Sequence, residues 1–349
     1  MWQANLQLKQ RGIWNFKTSK IYGEISSYKD EASKHSMKNN KWSLAQMPNQ
    51  LGKVVIVTGG NSGLGFETAK AFAQKGAEVI LACRSLDKGE IAKNVILKSF
   101  PKAIVNVMTI DLMDLLSIRS FVELFKEKFN RLDILINNAG IMMNPYTVTK
   151  DGFESQMGTN HFGHFALTGL LLDLIKNTPN SRVVTVSSLA HKQWKINLNN
   201  FLFENGMGYN SMKAYSHSKL ANILFTYQLQ RLLEKNNVDS IASAAHPGAS
   251  YTNLGRFHEH KFLARMLRPL IVNILPNSAS GALPQIRAAS DPKVKGGEYF
   301  GPSGFMELAG SPVLVKSSKT SRSTEDAQRL WEISEGLTGV KYNLKENGG

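Results

Sequence analysis

An apolar run that leads directly into a cluster of glycines constrains the fold of this chain more than any other feature. The run is Val54–Thr58, and Gly59, Gly60, Gly63 and Gly65 follow it. Glycine allows positive φ and lets a ligand approach the backbone, and a helix that begins here presents its partly positive N-terminus. A strand, a glycine turn and a helix in this order predict a pyrophosphate cradle; a tight structural turn is the alternative. The predicted contacts are Thr58, Gly59, Asn61, Ser62, Gly63, Leu64 and Gly65.

From Lys53 onwards, short apolar runs alternate with amphipathic segments of helical length. The predicted strands are Val54–Thr58, Glu78–Cys83, Val105–Ile110, Ile134–Asn137, Arg182–Val186 and Ser240–Ala245. The predicted helices are Gly65–Lys75, Asp87–Lys98, Leu116–Phe129, Phe153–Lys176 and Met212–Lys235. Apolar strands that alternate with helices indicate a parallel sheet covered on both faces. The sequence therefore predicts an α/β fold with a doubly wound parallel sheet, a Rossmann fold, with right-handed crossovers.

The 349 residues divide into three parts. Residues 1–50 carry eight Lys and Arg against three acidic residues and show no sustained periodicity, so we expect a poorly ordered basic extension. Residues 51–342 form one domain of the predicted fold, which includes a substrate lid at about 249–290. Residues 343–349 are a tail.

The net charge of +15 raises the question of a nucleic-acid or membrane partner. The basic residues are spread along the whole chain, without a long basic run, zinc-finger spacing or an RNA-binding signature. A positive field around a polyanionic cofactor explains the charge equally well. We therefore predict no nucleic-acid partner.

The chain has a single cysteine, Cys83, so an intramolecular disulfide is excluded and a reducing compartment is favoured. No stretch reaches the roughly 18 uninterrupted apolar residues of a spanning helix, and the N-terminus lacks the pattern of a secretory signal. These observations predict a cytoplasmic protein.

The most apolar stretch is Phe262–Leu275, which two arginines, a proline and an asparagine interrupt. It suits the wall of a lipophilic substrate site, and ordinary core packing is the alternative. Its two arginines, Arg265 and Arg268, favour peripheral contact with an anionic membrane surface. His258 and His260 have no carboxylate or cysteine at metal-binding spacing, so we predict no metal.

The end of the second predicted strand distinguishes the two nicotinamide dinucleotides, because the adenosine ribose is bound there. An acidic residue would bind the ribose 2′-hydroxyl, but Arg84 and Ser85 follow this strand. Arginine binds a phosphate through two parallel hydrogen bonds, so Arg84 favours NADP(H); a solvated arginine is the alternative. Further predicted cofactor contacts follow later strands: Asp111, Leu112, Asn138, Ala139, Gly140, Pro247, Gly248 and Thr252.

Tyr215 and Lys219 lie four residues apart in a predicted helix, so their side chains share one face. An ammonium beside a phenol favours the phenolate, which would lower the pKa of the tyrosine towards neutrality. Ser187 and Ser188 follow the fifth predicted strand, at the edge where such sheets bind ligands, and either hydroxyl can hold a substrate oxygen. Asn160, in an apolar helical segment, either anchors a water near Lys219 or is a satisfied core amide.

Together these residues resemble the short-chain dehydrogenase/reductase family, in its retinol dehydrogenase-like and WW-domain oxidoreductase-like branch. The resemblance extends from Lys53 to about Tyr342. The family's Thr-Gly-x-x-x-Gly-x-Gly loop matches Thr58–Gly65, and its Asn-Asn-Ala-Gly motif matches Asn137–Gly140. Its catalytic residues correspond to the set Asn160, Ser188, Tyr215 and Lys219. The choice of Ser188 over Ser187 depends on this resemblance.

The resemblance also implies the chemistry. Hydride moves between the nicotinamide and a carbonyl carbon, Tyr215 exchanges the proton of the oxygen, Ser188 polarises that oxygen, and Lys219 binds the ribose. We therefore expect an NADP(H)-dependent enzyme acting on a small-molecule carbonyl or alcohol, such as a lipophilic aldehyde or ketone. Membrane-bound retinol dehydrogenases carry an N-terminal apolar anchor that this sequence lacks, which weakens the case for a retinoid substrate.

Two further expectations concern partners and rival functions. Related enzymes pair through helices that correspond to Leu116–Phe129 and Phe153–Lys176, so we expect a homodimer. An NADP(H)-binding sensor or scaffold without turnover is the rival function. The intact catalytic set argues against it, because a sensor has no need of a proton relay.

Overall fold

The computed structural model describes residues 41–248 and 277–344. Most of the predicted extension (1–50) and of the predicted lid (249–290) lies outside these residues, and the division into parts remains a prediction. Thr252 and the apolar stretch Phe262–Leu275 also lie outside them.

Within the described residues, eight strands form a single sheet in the order β3-β2-β1-β4-β5-β6-β7-β8. Neighbouring strands are parallel except for β7 and β8, which are antiparallel. The strands are β1 Val54–Thr58, β2 Glu78–Cys83, β3 Ile104–Thr109, β4 Ile134–Asn137, β5 Ser181–Val186, β6 Ser240–Ala245, β7 Tyr299–Pro302 and β8 Pro312–Leu314. The strand order reverses at β1, which pairs with β2 on one side and β4 on the other. Ligands bind at such a reversal point in open α/β sheets.

The helices lie between the strands and after them. They are α1 Gly63–Gln74, α2 Leu86–Ser99, α3 Leu115–Lys128, α4 Ser155–Met157, α5 Gly163–Leu170, α6 Leu172–Asn177, α7 Ser211–Lys235, α8 Ser278–Ser290 and α9 Thr324–Thr338. Side-chain caps fix several starts: Asp114 accepts from two backbone N–H groups of α3, and Asn210 accepts from one of α7. The predicted doubly wound α/β fold is confirmed.

The predicted single helix Phe153–Lys176 is wrong in detail, because a π-helical turn, Gly158–Phe162, separates α4 from α5. Two glycines, Gly158 and Gly163, allow this region to lie close to other residues of the same polypeptide. A Cβ on Gly158 would collide with Thr149, and one on Gly163 would lie 2.6 Å from the Leu112 carbonyl oxygen. These contacts are remote in sequence, so the helical periodicity did not reveal them.

Apolar side chains cover both faces of the sheet. One cluster contains Phe121, Phe165 and Phe225, and the other contains Phe72 and Phe300. Every residue of β1 is buried, as expected of a strand between two helical layers. Among the described residues, no helix combines the length and the apolar character that crossing a membrane requires.

The C-terminal part of the chain covers the outer side of α5 and α7. The ring of Trp331, on α9, stacks on Phe225 of α7 with centroids 5.8 Å apart. Tyr342 packs at 4.5 Å from Trp331, and its hydroxyl donates to the Phe165 carbonyl oxygen at 2.7 Å. A helix that is buried on nearly all sides needs such a cover, because its apolar surface extends around its whole circumference.

Two substitutions at Tyr342 measure how strongly this cover stabilises the domain. We expect Tyr342→Phe to lower the free energy of unfolding by about 1 kcal/mol, since it removes one hydrogen bond. Tyr342→Ala also removes the ring, so the loss should rise to about 2–4 kcal/mol. Urea denaturation of the three proteins measures both values, and equal stability of Tyr342→Ala and the wild type would contradict this account.

Candidate active site

A cavity of about 490 Å³ opens where the strand order reverses, at the carboxyl ends of the central strands. Glycine-loop, strand-end and α7 residues line it together. Of the predicted site residues it is lined by Gly59, Asn61, Ser62, Gly63, Leu64, Gly65, Arg84, Asp111, Leu112, Asn138, Ala139, Gly140, Tyr215, Lys219 and Pro247. The structure thus brings together groups that lie as far apart in sequence as residues 59 and 247.

The glycine loop has the backbone that a phosphate cradle requires. Gly59 and Gly63 have φ of +66° and +56°, in the left-handed region that favours glycine. A Cβ on Gly65 would collide with the Gly59 carbonyl oxygen and lie 2.5 Å from Asn138 Nδ2. The loop therefore stays open only because it lacks side chains, and its shape fits the pyrophosphate of a dinucleotide.

Thr58 lies behind the cradle and does not line the cavity. Its hydroxyl oxygen accepts hydrogen bonds from the backbone N–H groups of Asn138 and Ala139, each at 2.9 Å. The side chain of Asn138 donates to the Thr58 carbonyl oxygen at 2.8 Å and accepts from Gln285 at 3.1 Å. Thr58 and Asn138 therefore fix the loop after β4, and the small residues beyond it face the cavity.

The adenosine end of the cavity is basic. Arg84 and Ser85 line it, and Lys88 joins them from the first turn of α2. The sequence analysis missed Lys88, although its spacing of four residues from Arg84 was a usable signal. Burial raises the pKa of Cys83, which fits an unreactive thiol.

Other predicted cofactor residues differ in their placement. Asp111 lines the cavity, and its carboxylate accepts from the Met113 backbone at 3.0 Å. Pro247 also lines it, whereas Gly248 packs against the Leu308 carbonyl group with φ of +73°. Several lining residues were not predicted at all: Met113, Ile141, Met142, Thr159 and Val186.

Tyr215 and Lys219 face the cavity from the same side of α7, as their spacing predicts. Lys219 Nζ lies 5.8 Å from the centre of the Tyr215 ring and donates to the Val186 carbonyl oxygen at 3.0 Å. Burial lowers the pKa of Lys219 to about 8. Burial also raises the pKa of Tyr215, and a hydrogen bond with Ser188 opposes this rise. The expected lowering of the tyrosine pKa is therefore not found, because burial outweighs the opposing effect of Ser188.

The two candidate serines make different contacts. The Ser188 side chain lies close enough to Tyr215 to lower the pKa of the phenol, and its Oγ accepts from the Ala190 backbone at 3.2 Å. Ser187 borders the cavity, but its hydroxyl donates to the carbonyl oxygen of Lys219 at 2.8 Å. The Ser187 hydroxyl is thus engaged with the helix backbone, whereas the Ser188 hydroxyl acts as an acceptor in its bond with Ala190.

Asn160 lies in the π-helical turn, behind the cavity wall. Its side chain forms a pair of hydrogen bonds, each of 2.9 Å, with the backbone of Ile141, and a third of 2.9 Å with Ser218. The amide is therefore fully used as a clamp. These contacts are those of a satisfied core amide, one of the two alternatives that the sequence left open. π-Helical turns recur at functional sites.

The described residues contain no group of three or more His, Cys, Asp or Glu that could hold a metal ion.

Comparisons with known proteins agree with this site. A family model described as short chain dehydrogenase matches residues 53–201. Retinol dehydrogenase 11 of Homo sapiens is 41% identical over 298 residues, which are 85% of this chain and 88% of the relative. Retinol dehydrogenase 12 of Mus musculus is 39% identical over 293 residues, 83% of this chain and 88% of the relative. A crystal structure of an uncharacterised protein from Mycobacterium paratuberculosis matches with a TM-score of 0.72 at 38% identity, covering 87% of this chain and 100% of that one.

The prediction of a cytoplasmic protein is wrong. It set this chain apart from membrane-bound retinol dehydrogenases because no apolar anchor was recognised in the sequence. The chain instead matches retinol dehydrogenases 11, 12 and 14 over 83–85% of its length. A missing sequence pattern is weak evidence of a compartment, and these relatives outweigh it.

The family is shown by relatives of about 40% identity, most of whose length this chain covers. The predicted glycine loop and the predicted lysine, tyrosine and serine lie around one cavity or in contact with its lining residues. The chain therefore belongs to the short-chain dehydrogenase/reductases, in the retinol dehydrogenase-like branch, and is an oxidoreductase that uses a nicotinamide cofactor.

Proposed function

We propose that this protein is an NADP(H)-dependent oxidoreductase that reduces lipophilic aldehydes or ketones and oxidises the corresponding alcohols. One observation carries the proposal: Tyr215 and Lys219 share a helix face at the cavity that the glycine cradle also lines, and Ser188 lies close enough to Tyr215 to lower its pKa. This arrangement supplies a proton and an oxygen-binding hydroxyl at the edge of a dinucleotide site. The nicotinamide, when bound, supplies or accepts the hydride.

The residues of the chain divide the remaining work. Because its pKa is raised, Tyr215 keeps its proton at neutral pH and can give it to a carbonyl oxygen. Ser188 holds that oxygen beside the phenol, and Lys219 places a positive charge next to both. A protonated phenol at neutral pH favours the direction of carbonyl reduction.

The basic end of the cavity supports NADP(H) rather than NAD(H). Arg84 and Lys88 line this end, and β2 is followed by no acidic residue that would repel a 2′-phosphate. Two cations at this place can bind the two negative charges of a phosphate ester, with arginine as a bidentate partner.

The substrate end supports a lipophilic compound. Ile141 and Met142 line the cavity together with Tyr215, so an apolar chain next to the reacting carbonyl would meet apolar side chains. The names of the relatives point to retinoids, and retinal is therefore the first compound to test.

Contacts with a membrane and with a second copy are further proposals. Peripheral membrane contact would involve the stretch Phe262–Leu275, and a homodimer would use the outer face of α3. Leu116 and Leu124 on that face are 73% and 49% exposed. The helix α5 is less suited to pairing, because its residues Gly163–Thr168 are buried within the chain itself.

NADPH oxidation in the presence of retinal, other aliphatic and aromatic aldehydes, ketones and quinones tests the proposed activity. Tyr215→Phe should lower kcat by about 10²–10⁴-fold, since it removes the proton donor, and Ser188→Ala should lower kcat by about 10²-fold. Ser187→Ala is the matched control and should cost about 1 kcal/mol of stability but little activity. Equal losses in the two serine variants would contradict the assignment, and tight NADPH binding without any turnover would favour the sensor.

Cofactor preference tests the basic end of the cavity. Arg84→Ala and Lys88→Ala should each raise KM for NADPH by about tenfold to a hundredfold, because a charge-assisted hydrogen bond is worth roughly 1.5–3 kcal/mol. KM for NADH should stay unchanged. Lys93→Ala, on the same helix but paired with Glu90 at 3.4 Å, is the control. Equal KM values of the wild type for NADPH and NADH would contradict the assignment of Arg84 and Lys88 to the 2′-phosphate.

The pKa of Lys219 predicts the alkaline limit of the reaction. Below pH 8 the side chain is charged, and above that value it loses its charge. We therefore expect kcat/KM for NADPH, which reports the cofactor-free enzyme, to fall as the pH rises through about 8. Lys219→Arg, whose guanidinium stays protonated, should be slower but should lack this decline up to about pH 10. The same decline in both proteins would assign it to another group.

A further inference from the structure

A buried histidine behind the cavity connects two residues, Thr58 and Asn160, that support the cavity lining. His164 lies on α5 and is 1% exposed. Its Nε2 lies 2.9 Å from Thr58 Oγ1, and its Nδ1 lies 3.1 Å from the carbonyl oxygen of Asn160. Neither the sequence motifs nor the proposed chemistry uses this residue.

The partners of His164 fix its tautomer. The Asn160 carbonyl oxygen can only accept, so Nδ1 carries the proton and donates. Nε2 is then an acceptor, and the Thr58 hydroxyl donates to it at 2.9 Å in preference to the Ile136 carbonyl oxygen at 3.3 Å. The Thr58 oxygen keeps its lone pairs for the backbone N–H groups of Asn138 and Ala139. Every polar atom of this chain of hydrogen bonds has a complementary partner.

Both ends of this series of hydrogen bonds, Thr58 and Asn160, hold the same loop. Thr58 holds the backbone at Asn138 and Ala139, and the Asn160 side chain clamps the backbone of Ile141 on both its N–H and its carbonyl group. His164 therefore ties together the two groups that bracket the segment 138–141. This segment lines the cavity throughout.

The surroundings of His164 keep it neutral. Burial lowers its pKa to about 4; the bond to the Asn160 carbonyl opposes this effect, and the nearby charge of Lys219 adds to it. A neutral imidazole preserves the acceptor that Thr58 needs.

We propose that His164 is a positioning residue whose two hydrogen bonds set the spacing between Thr58 and Asn160, and so hold the segment 138–141 against the cofactor and the reacting groups. The role in turnover rests on the proposed function. The role in cofactor binding does not.

Two isosteric variants separate the two hydrogen bonds. In His164→Asn the amide nitrogen replaces Nδ1, so the bond to Asn160 is kept and the acceptor for Thr58 is lost. In His164→Gln the amide oxygen replaces Nε2, so the Thr58 bond is kept and the Asn160 bond is lost. We expect His164→Asn to raise Kd for NADPH about tenfold with kcat little changed, and His164→Gln to lower kcat about tenfold with Kd little changed.

His161 provides a matched control in the π-helical turn. It is also almost fully buried, and its Nε2 lies 2.9 Å from Oγ of Ser334, a residue far in sequence from Thr58 and Ile141. His161→Asn and His161→Gln should lower the thermal midpoint of unfolding as the His164 variants do, but should leave Kd and kcat unchanged. Thr58→Val removes the Thr58 bond from its other end, and it should reproduce the weak NADPH binding if the His164 variants fold poorly.

NADPH titration followed by fluorescence needs no substrate, so it is read first. If both His164 variants bind NADPH as tightly as the wild type, or if the His161 variants show the same losses, the proposal is overturned. If the wild type reduces none of the aldehydes, the proposed function fails, while a weakened Kd in His164→Asn and Thr58→Val alone still supports the positioning role.

Discussion

The site depends on one buried hydroxyl, that of Thr58 at the end of β1. β1 and β4 are adjacent, and their crossovers leave in opposite directions, which opens a crevice between the loops that follow them. The Thr58 oxygen spans this point by accepting two backbone N–H groups from Asn138 and Ala139. Two buried N–H groups without an acceptor would each cost about 1–3 kcal/mol, so this contact holds the loops at a fixed distance. The width of the cradle and the placement of the segment 138–141 both follow from it.

The sequence predicted most of the central strands to within one residue, because strands buried on both faces are written as short apolar runs. The carboxyl ends of parallel strands lie at the same edge of a sheet, so the glycine loop, Arg84 and Asp111 could be placed together at that edge. The break in the helix around Gly158 could not be predicted, since it depends on contact with Thr149 and Leu112. For the choice between the two serines, the sequence offered only a family resemblance. In the structure, the hydrogen bond from Ser187 to the Lys219 carbonyl oxygen shows that the Ser187 hydroxyl is already engaged.

The C-terminal segment packs against α7, the helix that carries Tyr215 and Lys219. α7 is buried along most of its length, and α9 covers the side that would otherwise face solvent. Tyr342 extends this cover to α5 by its bond to Phe165. α7 carries Tyr215 and Lys219, and α5 directly follows the turn that carries Asn160. Both helices are thus enclosed by other parts of the same polypeptide. Packing of this density limits rotamer changes and keeps the reacting groups in place before substrate binds.

The burial that gives this rigidity also sets the chemistry. Lys219 is almost fully buried, and among the described residues its side chain takes part in none of the ion pairs. Burial lowers the pKa of Lys219 to about 8 and raises the pKa of Tyr215, although Lys219 Nζ donates to the Val186 carbonyl oxygen at 3.0 Å. A bound dinucleotide would bring negative phosphates and a polar ribose into the same cavity, and these groups favour the charged lysine. Cofactor binding and protonation of Lys219 are therefore linked: each makes the other more favourable.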